Sequence, residues 1–255
     1  MAPVVICVVD GLRPDAISPS ETPMLQRLMD QGRYSLNART VMPSVTLPCH
    51  MSLFHSVDPG RHGVVTNTWT PQVRPVPGLF DVARLWGLKA AAFYNWEELR
   101  DLWRPGAVEV SYYWRDNKTT AGDVQVARAA AECLSAGEYD LAFVYLGHTD
   151  EAGHHDGWLS PTYAEAVRNA DACIGQVLAA LGEDWTAVVV ADHGGHERSH
   201  GTDLPEDMTI PLIMAGRGIR HEQLNGDAQI IDVAPTVAKL VGLGIPEEWE
   251  GHVLL

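Results

Sequence analysis

Acidic residues and histidines directly follow three apolar, β-branched runs of this 255-residue chain. Carboxylates and imidazoles are typical ligands of divalent cations. Because parallel strands present their carboxyl ends along one edge of a sheet, we expect these side chains to lie together. The sequence therefore predicts a metal centre. Its candidate ligands, each given with the run before it, are Asp10 (4–9), Asp150 and His154 (141–146), and Asp192 and His193 (187–191).

The second of these segments offers two histidines to one carboxylate. Asp150 and His154 are four residues apart, so a helical turn would point both side chains to one side. His155 competes for the same role. We favour His154 because it follows Gly153 and keeps the four-residue spacing.

The third segment leaves two questions open. Asp192 and His193 are adjacent, so they could serve one metal from two directions or two different metals. The glycine pair that follows permits a sharp turn of the backbone. His196 and His200 then compete for the last ligand position.

Thr46 is the candidate nucleophile, at the predicted start of a helix. A bound metal would lower the pKa of its hydroxyl, and a helix N-terminus favours a developing alkoxide. Considered alone, Thr46 is better explained as a helix cap. Charge favours the nucleophile, since three carboxylates and one alkoxide balance two divalent cations and leave room for a phosphate anion.

Strand-like and helix-like segments alternate along the whole chain. This alternation predicts a three-layer α/β/α fold with a mostly parallel central sheet, covered on both faces. We expect a single domain over residues 1–255, since no repeat or linker interrupts it. Predicted helices cover 22–31, 46–54, 80–86, 123–136, 161–181 and 232–241; predicted strands cover 4–9, 89–94, 141–146, 187–191 and 211–215.

Two segments are predicted to be irregular. Residues 57–78 are rich in glycine, proline, threonine and asparagine, which predicts a loop or hairpin. Residues 95–122 carry a run of aromatic residues from Trp96 to Trp114. That segment is either a surface excursion packed on itself or a lid that holds substrate over the site.

Composition excludes several classes of protein. A net charge of −15 would repel polyanions, so nucleic-acid binding is not expected. No apolar run reaches the length of a membrane span. With no basic leader before residue 4 and four widely spaced cysteines, we expect a reduced, cytoplasmic protein. The sequence leaves the oligomeric state open.

Taken together, the motifs resemble those of the alkaline phosphatase superfamily, in particular its nucleotide pyrophosphatase/phosphodiesterase branch. The resemblance runs from residue 4 to about 253. The matching motifs are Val-Val-Asp10-Gly-Leu-Arg-Pro-Asp, Pro-Ser-Val-Thr46-Leu-Pro-Cys-His, His62-Gly-Val-Val-Thr-Asn67, Asp150-x-x-Gly-His154-x-x-Gly, Asp192-His193-Gly with His200-Gly, and Asp232-Val-Ala-Pro-Thr.

The resemblance implies a fold, a metal content and a role for each site residue. It implies an alkaline-phosphatase-like fold and two divalent ions, which in this family are zinc. Asp150, His154 and His200 would hold one ion; Asp10, Thr46, Asp192 and His193 would hold the other. Thr46 would form a covalent phospho-enzyme that water later hydrolyses, and Asn67 would donate to a phosphate oxygen.

The function implied is cleavage of phosphodiester bonds in a small anionic phosphate ester. One departure concerns His200, because in the family the last histidine often lies beyond a large insertion and here it follows His193 by seven residues. The alternatives are a phosphonate or phosphomonoester hydrolase like phosphonoacetate hydrolase, and a degenerate binding protein. A sulfatase is disfavoured because Thr46 cannot be converted to formylglycine, and a cofactor-independent mutase because the chain lacks room for the large inserted domain.

Overall fold

In the part of the chain that the structure describes, one mixed sheet of eight strands forms the centre of the fold. The structure is a computed structural model, and it describes residues 2–18, 20–224, 226 and 228–255. The strands are β1 (Val4–Val9), β2 (Arg33–Arg39), β3 (Ala90–Tyr94), β4 (Val110–Tyr113), β5 (Leu141–Leu146), β6 (Thr186–Val190), β7 (Thr209–Ala215) and β8 (Glu222–Gln223).

The strand order is β4-β3-β5-β1-β6-β7-β2-β8. Only β7 runs antiparallel to its neighbours among these eight strands; the ladders from β4 through to β6 are all parallel. β1 lies between β5 and β6, with Val4 in register with Leu141 and Thr186. All six residues of β1 are buried, as expected for a central strand covered on both faces.

Helices cover the sheet in two groups that each pack among themselves. One group contains α1, α5, α6 and α7; the other contains α2, α4 and α9. Their bounds, with two short helices, are α1 (Pro23–Gln31), α2 (Thr46–His55), α3 (Pro59–His62), α4 (Leu79–Leu85), α5 (Thr120–Ala136), α6 (His148–Asp156), α7 (Pro161–Leu181), α8 (Pro205–Met208) and α9 (Val233–Val241). The predicted three-layer α/β/α fold with a mostly parallel sheet is confirmed.

The largest differences from expectation fall in the two segments predicted to be irregular. Residues 95–122 contain a 3₁₀ helix (Glu97–Leu102) and strand β4, so the prediction of irregular backbone is wrong there. β4 pairs only with β3 at the edge of the sheet and is half-exposed, so it lacks the continuous apolar pattern of a central strand. The loop over 57–78 contains the single turn α3.

Most predicted boundaries lie within a few residues of the observed ones. Helix α5 begins at Thr120 rather than Asp123, because Thr119 is its N-cap and its side chain accepts from the Gly122 N–H. Across the described part of the chain, no helix combines the length and the apolar character needed to cross a bilayer.

Candidate functional site

Two groups of carboxylates and imidazoles meet at the carboxyl ends of β1, β5 and β6. The first group contains Asp10, Asp192 and His193, all buried. His193 Nε2 lies 3.3 Å from Asp10 Oδ1 and 3.4 Å from Asp192 Oδ2. Within this group the ligand atoms all lie within 4.8 Å of one another. The structure therefore brings the adjacent residues Asp192 and His193 to the same group, the first of the two arrangements left open by the sequence.

The second group contains Asp150, His154 and His200. His154 Nε2 lies 3.4 Å from Asp150 Oδ2, and His200 Nε2 lies 3.6 Å from Asp150 Oδ1. The two groups are in contact, because the rings of His193 and His200 stack with centroids 3.8 Å apart at an interplanar angle of 13°. Pairs of adjacent ligand sets are the arrangement that two-metal centres require.

Local backbone structure explains how the turn after Asp10 packs directly against Asp150 on α6. Asp150 and His154 lie one turn apart on α6, whose helical geometry turns both side chains to one side. Gly11 has φ +66°, and a Cβ on it would lie 3.2 Å from the Asp150 Cα. A glycine is therefore favoured at the β1 end, where the chain turns beside α6.

The aspartates of the two groups have the raised pKa values and unpartnered oxygens expected of metal ligands. Burial, and then the charge of Asp192, raises the pKa of Asp10 and of Asp150 well above the usual range. Burial also raises the pKa of Asp192. Each of these aspartates has one buried oxygen without a hydrogen-bond partner: Asp10 Oδ1, Asp150 Oδ1 and Asp192 Oδ2. Such atoms are costly unless a cation compensates them, so the residues present fit divalent metal ions.

The histidines are also prepared as ligands. Burial lowers the pKa of His193 to about 4 and that of His200 to about 3, which keeps both rings neutral. In His154, His193 and His200, Nδ1 donates to a backbone carbonyl, of Arg198, Gly194 and Ser44 respectively, at 2.8–2.9 Å. That hydrogen bond fixes the tautomer and leaves Nε2 free for a metal.

Thr46 lies beside the first group. Its Oγ1 is 3.2 Å from His193 Nε2. It occupies the first turn of α2, whose N-cap is Val45, and the structure shows no side-chain capping bond there. The capping explanation of Thr46 therefore does not describe its contacts. Asn67 is exposed and its Oδ1 accepts from the Leu47 N–H at 3.0 Å, which places this amide next to the same helix turn.

The competing histidines lie elsewhere. His155 pairs with Asp156 Oδ1 at 2.9 Å and is mostly exposed, outside both groups. His196 Nδ1 binds Asp207 Oδ1 at 2.7 Å and is also outside them. Of the two candidates for the last position, the structure therefore places His200 with the other ligands. His148, the first residue of α6, is half-buried and outside both groups.

Two residues at the site were missed by the sequence interpretation. Tyr145 is buried in β5, and its hydroxyl donates to Asp10 Oδ2. Its place inside an apolar strand gives no signal beyond that of a core aromatic residue. His50 is fully buried with Nδ1 2.8 Å from the Thr46 carbonyl and 3.5 Å from Asp192 Oδ2. Its spacing of four residues after Thr46 was the only signal for it.

A second buried network holds the start of α6. Asn95, after β3, accepts from the Gly147 N–H at 3.2 Å and donates to Asp123 Oδ1 at 2.8 Å. Asp123 Oδ1 also accepts from the His148 N–H at 3.3 Å. These two side chains satisfy N–H groups at the start of the helix that carries Asp150. Burial raises the pKa of Asp123 to about 7.

A cavity of about 370 Å³ lies between α2, the loop after Asn67 and the segment around Trp103. Its apolar lining includes Met51, Trp69 and Trp103, and its charged lining includes Asp101 and Arg104. Met51 follows Thr46 by five residues on α2, about 7 Å along the helix axis. Of the aromatic residues from Trp96 to Trp114, Trp103 is the one that lines this cavity.

Several solved structures have the same fold as this chain. Murine ectonucleotide pyrophosphatase / phosphodiesterase 5, an inactive variant in complex with AMP, superposes with a TM-score of 0.80 at 14% identity, covering 99% of this chain and 97% of that one. A phosphonate monoester hydrolase from Silicibacter pomeroyi gives a TM-score of 0.75 at 17% identity, covering 100% and 76%. Both of these structures therefore share the fold of this chain.

The family follows from the sequence. The model of the family described as type I phosphodiesterase / nucleotide pyrophosphatase matches residues 4–208. The chain belongs to this family, and with it to the alkaline phosphatase superfamily, whose fold it shares. The expected resemblance is confirmed.

Curated relatives are longer and have different activities. The human GPI ethanolamine phosphate transferase 2 catalytic subunit is 28% identical over 275 residues, covering 98% of this chain and 27% of the relative. The 2,3-bisphosphoglycerate-independent phosphoglycerate mutase of Rhodopirellula baltica is 30% identical over 158 residues, covering 59% and 28%. The chain thus spans little more than a quarter of the length of these relatives.

Proposed function

We propose that this protein is a two-metal phosphodiesterase that acts through a phosphorylated Thr46, within a single metallohydrolase domain over residues 1–255. The observation that carries the proposal is the pair of adjacent ligand groups beside the Thr46 hydroxyl. Each group contains a buried carboxylate oxygen without a partner, and each has at least one imidazole Nε2 within 3.6 Å of a carboxylate oxygen. An apolar or merely structural cluster would not leave such atoms uncompensated.

Each ligand group is matched to one divalent ion. Asp150, His154 and His200 would hold one; Asp10, Asp192, His193 and Thr46 would hold the other. Nitrogen and carboxylate oxygen donors in sets of three or four suit zinc, which is the identity we propose. Bound there, the two cations would lower the pKa of the Thr46 hydroxyl and shield the charge of a phosphate ester.

The chain's own residues then explain the chemistry. Thr46 Oγ1, its proton lost to water, attacks phosphorus, and the new bond forms as the bond to the leaving alkoxide breaks. The alkoxide takes a proton from water, and a second water molecule later hydrolyses the Thr46 ester. Thr46 lies in the N-terminal turn of α2, where the helix dipole favours the developing negative charge, although the Leu47 N–H is already bonded to Asn67 and Pro48 has none. Asn67 lies beside that turn, where its amide can donate to a phosphate oxygen.

Charge distribution favours a diester over a monoester. A monoester carries a second full negative charge, which needs an additional cation near the nucleophile. Arg61 donates to the Arg74 carbonyl at 2.9 Å, and Arg13 pairs with Asp15, so both guanidinium groups are engaged in other contacts. Tyr145 donates to Asp10 Oδ2, so Oδ1 is the oxygen of this carboxylate that is left without a partner. The neutral donor Asn67 suits the single charge of a diester.

The cavity beside Trp103 suits the second organic group that a diester carries. It begins at Met51, about one and a half helical turns along α2 from Thr46. Its two indole rings with flanking charged groups can hold a planar or ring-shaped substituent. The aromatic segment 95–122 would then contribute a wall of the substrate site through Trp103 rather than a lid.

The test is a rate panel with defined metals on an aryl phosphodiester, the matching monoester, a phosphonate and a sulfate. We expect kcat/KM for the diester to exceed that for the monoester by more than about tenfold, equivalent to about 1.4 kcal/mol of transition-state binding. Faster monoester or phosphonate cleavage would favour the alternative hydrolases. Transfer of the phosphoryl group to an added alcohol in preference to water would favour a transferase.

A further inference from the structure

A single buried carboxylate closes the loop that runs from His193 to Thr202. Asp207, on α8, is fully buried. Its Oδ1 binds His196 Nδ1 at 2.7 Å. Its Oδ2 accepts from the Thr202 N–H at 2.9 Å and from the Thr202 hydroxyl at 2.7 Å. Burial alone would raise the pKa of Asp207, but these hydrogen bonds outweigh it and lower the pKa, so the group is held as a carboxylate.

The backbone of the same segment packs on this loop. The Gly194 N–H donates to the Asp207 carbonyl at 2.8 Å. A Cβ on Gly194 would lie 2.0 Å from the Glu206 carbonyl oxygen. Any other residue at this position would therefore force the loop and the backbone of α8 apart. The loop is therefore fixed to α8 at its beginning, its middle and its end.

This loop supplies or orients all three histidines of the two ligand groups. His193 and His200 belong to it. The Arg198 carbonyl, also in the loop, accepts from His154 Nδ1 at 2.9 Å and so holds the third histidine. The loop also reaches the nucleophile segment, because Ser44 Oγ donates to the Thr202 carbonyl at 2.8 Å.

We propose that Asp207, acting with His196, is the positioning residue of the metal centre: it fixes the loop that sets the three histidine ligands. The inference rests on the proposed function, since it takes those histidines as ligands. His200 follows His193 by only seven positions, so the loop is too short to have a core of its own. The Asp207 side chain supplies three hydrogen bonds that hold this short loop in place.

The experiment measures Zn²⁺ affinity by chelator competition in purified wild-type protein and in Asp207→Ala. Loss of a residue that orients metal ligands typically weakens metal binding by about 10- to 100-fold, and we expect a fall of that size. The matched control is Asp171→Ala, which removes another buried carboxylate that accepts two N–H groups, those of Met24 and Leu25 on α1. The control should lose stability without losing metal affinity.

Two His196 variants keep the inference testable where Asp207→Ala does not fold. His196 is partly exposed. His196→Ala removes one hydrogen bond to Asp207, and His196→Asn restores a donor near the position of Nδ1. We expect weaker Zn²⁺ binding in the alanine variant, recovery in the asparagine variant, and matching changes in the visible spectrum of the Co²⁺-substituted proteins.

The outcomes distinguish a failure of the proposed function from a failure of the positioning role of Asp207. Wild-type protein that binds no Zn²⁺ would overturn the proposed function, and with it the inference. Wild-type protein that binds Zn²⁺, with unchanged affinity in folded Asp207→Ala or in both His196 variants, would overturn the positioning role alone. An equal loss of affinity in Asp171→Ala would also overturn it, since the effect would then be one of general stability.

Discussion

Replacing Asp123 with asparagine removes one buried ionisable group and keeps the oxygen that accepts from His148 and Asn95. Asp123 is fully buried, and burial raises its pKa from a usual 3.8 to about 7. A group with a raised pKa in the folded state stabilises the fold fully below its unfolded pKa. That stabilisation is lost as the pH rises through the folded pKa.

The size of the effect follows from these two pKa values. Between pH 5 and pH 8, the contribution of Asp123 to the free energy of unfolding should fall by about 3 kcal/mol, at 1.36 kcal/mol per pKa unit. For a chain of this size, 1 kcal/mol corresponds to about 2–4 °C in Tm. Since asparagine stays neutral, Asp123→Asn should gain about 6–12 °C relative to wild type across that range.

The assay is thermal unfolding of both proteins in a chelator at pH 5 and pH 8. The neighbouring titratable groups, Asp116 and His148 among them, are the same in both proteins and largely cancel in the comparison. Asp171→Asn serves as a second comparison, because Asp171 accepts from α1 and lies in a different network. A difference between wild type and Asp123→Asn that does not change with pH would refute the reasoning.

Three further experiments with substituted proteins test the site itself. Thr46→Ala should remove nearly all turnover and change stability by only about 1 kcal/mol, the net value of one hydrogen bond, while Thr46→Ser should keep some activity in the same assay. An alanine variant with near wild-type turnover would mean that water attacks directly. His200→Ala should lower metal occupancy in elemental analysis more than His196→Ala; the reverse order would exchange their roles. Tyr145→Phe, which leaves Asp10 Oδ2 without its donor, should weaken Zn²⁺ binding about 10- to 100-fold, and unchanged affinity would contradict that role.

The sequence alone predicts the candidate site residues that lie at the ends of central strands. The apolar runs before Asp10, Asp150 and Asp192 have the composition of buried central strands, and parallel strands bring their ends together. Helix α6 was only conditionally predicted, because nine residues rich in acidic side chains and histidine have no clear apolar face. Strand β4 was missed for a related reason, since an edge strand is half-exposed.

The contacts that orient the ligands could not be predicted in the same way. Tyr145 and Asp10 are 135 residues apart, and nothing local in β5 distinguishes a tyrosine that donates to a carboxylate from a core tyrosine. The role of Asp207 is equally invisible in the local sequence. Eleven residues after His196, it reads as an ordinary acidic residue at the start of a short helix, and only the folded loop reveals its three side-chain hydrogen bonds.

The measurement closest to the central claim is a metal titration of chelator-treated protein with an aryl phosphodiester as substrate. If the two adjacent groups hold two catalytic ions, the stripped protein should be inactive. Activity should then return with zinc and saturate at about two equivalents per chain. Full activity in the stripped protein, with no metal found by elemental analysis, would contradict the two-metal account.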